Sequence, residues 1–65
     1  MQNRLKEIRK NKGLTQTDIG KIIGVSDIEI GRKEKGKTPL KDTQIIELCK
    51  SLNVSADYLL GLKNG

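Results

Sequence analysis

Residues 15–36 read TQTDIGKIIGVSDIEIGRKEKG, and this stretch decides the fold. Thr15 is a capping residue, and Asp18 stands three positions later as its short capping-box partner. Ile19, Ile22 and Ile23 recur at helical spacing and give the following segment one apolar face. Gly24 sits where that helix must stop, since glycine enters the left-handed region without steric cost. Val25 is placed to plug the corner. Ser26 caps a second helix, with Glu29 three residues on as the better-formed box of the two. Gly36 ends that second helix.

Two short helices about a glycine turn form a helix-turn-helix unit, whose second helix enters a DNA major groove. The strings around the unit carry the same pattern further. Arg4-Leu5-Lys6-Glu7-Ile8-Arg9, Gly13-Leu14-Thr15-Gln16, Gly24-Val25-Ser26 and Glu34-Lys35-Gly36-Lys37 follow in order. Leu52-Asn53-Val54-Ser55 and Asp57-Tyr58-Leu59-Leu60-Gly61 close the series. Together they resemble the helix-turn-helix family of phage repressors, Cro proteins and small bacterial regulators, over nearly the whole chain. The resemblance implies an all-α fold, a compact bundle of five short helices with a central helix-turn-helix in residues 1–62 and a short tail at 63–65.

Composition agrees with that expectation and removes others. A chain of 65 residues is one small domain at most. It buries only about 60% of its unfolded surface and is marginal without a partner. Cys49 is alone, so no disulfide staples it, and the lone thiol fits a reducing cytoplasm. With no His, a zinc site would need carboxylates alone or a second chain, and no cofactor is expected. No apolar run approaches the about 20 residues of a membrane span, and nothing resembles a signal peptide, so a soluble cytoplasmic domain is expected.

Net charge is +5, from 13 basic and 8 acidic residues, which favours a polyanion such as nucleic acid. Mild basicity also serves solubility alone, so the distribution matters more than the sum. Residues 1–13 carry five bases against Glu7, a net +4. Residues 26–41 carry five bases against three acids, +2, whereas the part from Asp42 on is −1.

Along the chain, Asn3 to Lys12 reads as a first helix with Leu5 and Ile8 inward and Gly13 as its stop. The resemblance implies that Arg9 pairs with Glu34, a structural ion pair tying that helix to the recognition helix. Gly20 holds a position where the family has a very small side chain, because two helices cross closely there. Asp42 or Thr43 to Leu52 is a further helix, with Ile45, Leu48, Cys49 and Leu52 as its buried stripe. Ser55 caps a last short helix carrying Tyr58, Leu59 and Leu60. Ile46 and Leu62 are left over for either a two-fold contact or closure of the core.

The expected DNA contacts are Gln16, Ser26, Asp27, Ile28, Glu29, Arg32, Lys35, Lys37 and Thr38. Arg32 suits a bidentate contact to guanine and Ile28 a thymine methyl. Asp27 and Glu29 serve the helix dipole or accept from cytosine. By resemblance, Gln16, Lys37 and Thr38 reach phosphates. Two departures from the family stand out. Acids open the recognition helix where Gln, Arg, Ser and Thr are common, and Lys33 stands where a bulky apolar residue is usual. The partner implied is double-stranded DNA, bound by a homodimer at least on DNA, with no membrane and no enzymatic activity. The alternative on the same scaffold is a protein-binding module, antitoxin-like or antirepressor-like.

A competing pattern needs an answer. Gly31 to Thr38 satisfies the phosphate-loop spacing G-x-x-x-x-G-K-[ST], after a strand-like alternation at Asp27-Ile28-Glu29-Ile30. A chain this short cannot supply the parallel sheet such a loop requires. Ser26-x-x-Glu29 also marks a helix start, so the helical reading stands.

Overall fold

The computed structural model describes residues 3–62. It consists of α1 (Leu5–Asn11), α2 (Gln16–Ile23), α3 (Asp27–Glu34), α4 (Asp42–Leu52) and α5 (Ala56–Leu59), with no strand among the described residues. Residues 63–65, expected as a tail, lie outside that range. Asp27 to Ile30, the strand-like alternation, form the first turn of α3, so the phosphate-loop pattern has no strand before it.

Local chemistry accounts for the boundaries. Asn3 starts α1: its Oδ1 accepts from the Leu5 amide at 2.9 Å, while its Nδ2 donates to the Lys33 carbonyl at 3.0 Å. Gly13, at φ +70°, lets the Leu14 amide reach back to the Arg9 carbonyl at 2.9 Å and close the helix. At α2 the Thr15 hydroxyl accepts from the Asp18 amide at 3.1 Å, and the Asp18 carboxylate accepts from the Thr15 amide at 2.9 Å. The box expected to be the lesser of the two is therefore the complete one. At α3 only half of the box exists: Ser26 Oγ accepts from the Glu29 amide at 3.2 Å. The Glu29 carboxylate turns instead to Thr38, accepting from its hydroxyl at 3.0 Å.

Each of the five helices gives at least one side chain to a single core of Leu5, Ile8, Ile19, Ile30, Leu48, Leu52 and Leu59. Each fully buried aliphatic contributes about 1.5–3 kcal/mol. Leu14, Val25, Leu40, Ile45, Cys49 and Tyr58 pack around this core, half-buried. Burial pushes the Cys49 thiol above its ordinary value, which keeps it protonated as a small packing residue. Leu59 closes the core, whereas Ile46 and Leu62 stay outside it, 53% and 65% exposed. Arg4 covers the Tyr58 ring at 5.1 Å and its amide donates to the Leu59 carbonyl at 2.8 Å, so α5 docks on the start of α1.

Gly20 is fully packed, at the close approach of α2 to the turn that leads into α3. A Cβ built there collides with the Val25 carbonyl oxygen, a backbone atom of the turn. The turn closes on α2 itself, with the Val25 amide donating to the Gly20 carbonyl at 2.9 Å.

Arg9 and Glu34 form the expected pair. Arg9 Nε donates to Glu34 Oε2 at 2.7 Å, and the two side chains are only 12% and 3% exposed. Arg9 Nη1 also donates to the Leu14 carbonyl at 3.1 Å, and Gln16 Nε2 donates to Glu34 Oε1 at 3.1 Å. One carboxylate thus joins α1, the first turn of α2 and the end of α3.

The buried pair and the α2 cap each carry a consequence for stability. Removing one member of a buried pair strands the other, so Glu34→Ala is expected to cost about 3 kcal/mol by urea unfolding. The double variant Arg9→Met with Glu34→Leu should recover most of that loss; no recovery would mean that the pair itself carries the stability. The cap responds to acid. The Thr15 amide and hydroxyl, aided by Lys21, hold the Asp18 carboxyl below its ordinary 3.8. A depressed folded value means stability that is present above 3.8 and lost as pH falls through the lower folded value. Asp18→Ala should therefore be less stable than the native chain at about pH 6, and the gap should narrow as the native carboxyl protonates.

Candidate DNA interface

Ser26 and the helix it starts present a continuous exposed strip. Asp27 is exposed, Ile28 is 68% exposed, and the Arg32 side chain is 59% exposed one turn later. Lys35 follows on the same side at helical spacing. Ile30, on the opposite face, is fully buried and fixes the rotation of α3. Ile28, in the first turn of α3, lies outside the core formed by the described residues. The helix is closed just past its end by Gly36, whose φ of +76° lets the Lys37 amide return to the Arg32 carbonyl at 2.9 Å. The backbone at Lys37 thereby folds back onto the last turn of α3, and its side chain is exposed.

The remaining expected contacts are more constrained. Gln16 lies half-buried with Nε2 on Glu34 and, in addition, close under Gly31, where a Cβ would lie 3.4 Å from that nitrogen. An amide nitrogen has two N–H groups, so one donor remains for a second acceptor. Glu29 is 30% exposed and engaged through both oxygens, by Thr38, by Lys33 and, at 3.8 Å, by Arg32. Thr38 is half-buried by the same contact. The geometry therefore brings Ser26, Asp27, Ile28, Arg32, Lys35 and Lys37 together as an open surface, with Gln16, Glu29 and Thr38 set into its edges.

Sequence reasoning leaves some cations unassigned. Lys6 and Lys10 of α1, with Lys35 and the acid Glu7 among them, line a shallow cleft together with Gln16, Gly31 and Glu34. The excess of positive charge in residues 1–13 is the signal for them, although charge counting cannot choose which lysines share a face. Lys33, the misfit in the family pattern, is buried, 4% exposed, with Nζ donating to the Pro39 carbonyl at 2.8 Å. Its ammonium does not snorkel out to solvent.

A family model described as helix-turn-helix matches residues 5–59. The chain is 35% identical over 60 residues to the repressor protein C2 of Salmonella phage P22, which covers 92% of this chain. It spans only 28% of that relative's length. Its structure is similar to the crystal structure of the P22 c2 repressor in complex with a synthetic operator. There the TM-score is 0.79 at 35% identity, covering 88% of this chain and 86% of the other. It is similar also to the solution structure of the DNA-binding domain of the P22 c2 repressor, with a TM-score of 0.76 at 32% identity over 94% and 86% of the two chains. Helix order, the glycine turn and the match over residues 5–59 agree, and the chain belongs to the helix-turn-helix family.

Proposed function

We propose that this chain binds double-stranded DNA sequence-specifically and acts as a transcriptional regulator, a repressor, with α3 in the major groove. The observation that carries the reading is the exposed strip of α3, with Ile28 in its first turn and Arg32 in its last both presented to water while Ile30 is buried. Support comes from the similarity to a repressor whose solved structure includes an operator. Arg32 contacts guanine O6 and N7, and Ile28 meets a thymine methyl. The free Gln16 N–H and Lys37 take phosphates, and Thr38, whose only O–H is given to Glu29, can do so only through its backbone N–H, while Lys6, Lys10 and Lys35 add attraction without sequence information.

One such module makes few base contacts, so two copies on half-sites about 34 Å apart supply the specificity. Ile46 and Leu62 are the apolar side chains left for a contact between copies. Binding in the cytoplasm as a dimer is part of the same reading. The protein-binding alternative draws on two acids and an exposed isoleucine at the start of α3. Glu29 is committed internally, which leaves Asp27 alone beside Ile28 and weakens it.

Selection from a random duplex pool at two salt concentrations tests the proposal. A two-fold-symmetric site should emerge. Arg32→Ala should weaken binding to it by about 1–3 kcal/mol and relax preference at one base position per half-site. Weak, sequence-blind binding that disappears with salt would reject the regulator reading in favour of a protein partner.

A further inference from the structure

Lys33 occupies a place that hydrophobic filling alone would satisfy. A buried ammonium is costly unless paired, and replacing a buried charge by an apolar side chain of similar volume is often neutral or stabilising. The role of the ammonium here is visible in its contacts. Nζ donates to the Pro39 carbonyl at 2.8 Å and lies 3.7 Å from Glu29 Oε2. The same Oε2 accepts from the Thr38 hydroxyl at 3.0 Å. The other oxygen, Oε1, lies 3.8 Å from Arg32 Nη1. Behind the site, Asn3 Nδ2 holds the Lys33 carbonyl at 3.0 Å, so the backbone at Lys33 is tied to the start of α1. A methionine would fill the space and hold neither Pro39 nor Glu29.

We propose that Glu29, backed by the buried ammonium of Lys33, is a positioning hub. It sets the exposed Arg32 and the segment Lys37–Leu40 in one fixed relation, and it reads no base itself. The inference rests on the DNA-binding reading and deepens it, because the segments joined are the candidate base reader and the candidate phosphate contacts. The Glu29 carboxylate is drawn inward by the Thr38 hydroxyl and the Lys33 ammonium on Oε2, which points its role to the loop and not to a base edge. A loop held at Thr38 and Pro39 meets the phosphates already ordered, so less conformational freedom is lost on binding.

Lys33→Met tests the hub, because Lys33 is too buried to touch DNA itself. The variant should unfold cooperatively with a midpoint equal to or above that of the native chain. Backbone order parameters at Lys37, Thr38, Leu40 and Lys41 should fall from about 0.85 toward 0.6. Affinity for the selected duplex should drop by about tenfold, with a salt slope shallower by about 0.9 for each phosphate no longer neutralised. The selected base sequence should not change. A segment that stays rigid, with affinity and slope intact, would overturn the hub. A changed base preference in Glu29→Gln would overturn the claim that Glu29 reads nothing. If the native chain selects no duplex at all, the DNA reading fails, and the order parameters alone decide the hub. If Lys33→Met does not fold, the same measurement on Thr38→Val decides it.

Discussion

The ion pair between Arg9 and Glu34 is the constraint on which the rest depends. The guanidinium and carboxylate meet at 2.7 Å where three helices converge, with the carboxylate buried and the guanidinium largely so. Glu34 also receives Gln16, and Arg9 also holds the Leu14 carbonyl, so the carboxylate and the guanidinium are bonded twice over. The pair adds little net stability relative to an apolar replacement, since desolvation offsets attraction. Its contribution is a unique arrangement. Only one rotation of α3 places Glu34 under Arg9 and Ile30 in the core, and that rotation turns Ile28 and Arg32 outward.

A second layer of polar bonding repeats this logic nearer the surface. Glu29 and Lys33 stand one turn apart on α3, and through Thr38 and Pro39 they fasten the segment that leaves the helix. Two acid–base contacts on one eight-residue helix thus have different roles: one orients the helix within the domain, the other orders the loop leading to α4. A domain of this size has little core to spare, and its geometry is specified by paired charges more than by bulk burial.

Much of the fold is legible in the sequence because it is local. Thr15, Ser26 and Ser55 cap helices through their own next turn, and Gly13, Gly24 and Gly36 each take a positive φ where a helix stops. The stripe Ile45, Leu48, Cys49 and Leu52 comes from period alone. The misreadings at Glu29 and Lys33 share one cause, a partner in the loop beyond the helix that helical periodicity does not encode. Glu29 has a capping box available and bonds Thr38 instead. Lys33 looks like a fault in packing until Pro39 supplies an acceptor. Asn53 ends α4 at φ +56°, a conformation that Asn tolerates better than most residues but that its position alone does not announce. The candidate interface is less legible than the fold, since exposure of Ile28 and Arg32 requires knowing which way α3 is turned.

The most direct measurement is a titration of the 15N-labelled chain with a selected duplex, following every backbone amide. The largest shifts should fall at Gln16, from Ser26 to Arg32, and from Lys35 to Thr38, with the core residues Leu48 and Leu52 unmoved. Shifts confined to Ile46 and the residues around Leu62, with α3 unchanged, would contradict it and place the recognition surface elsewhere.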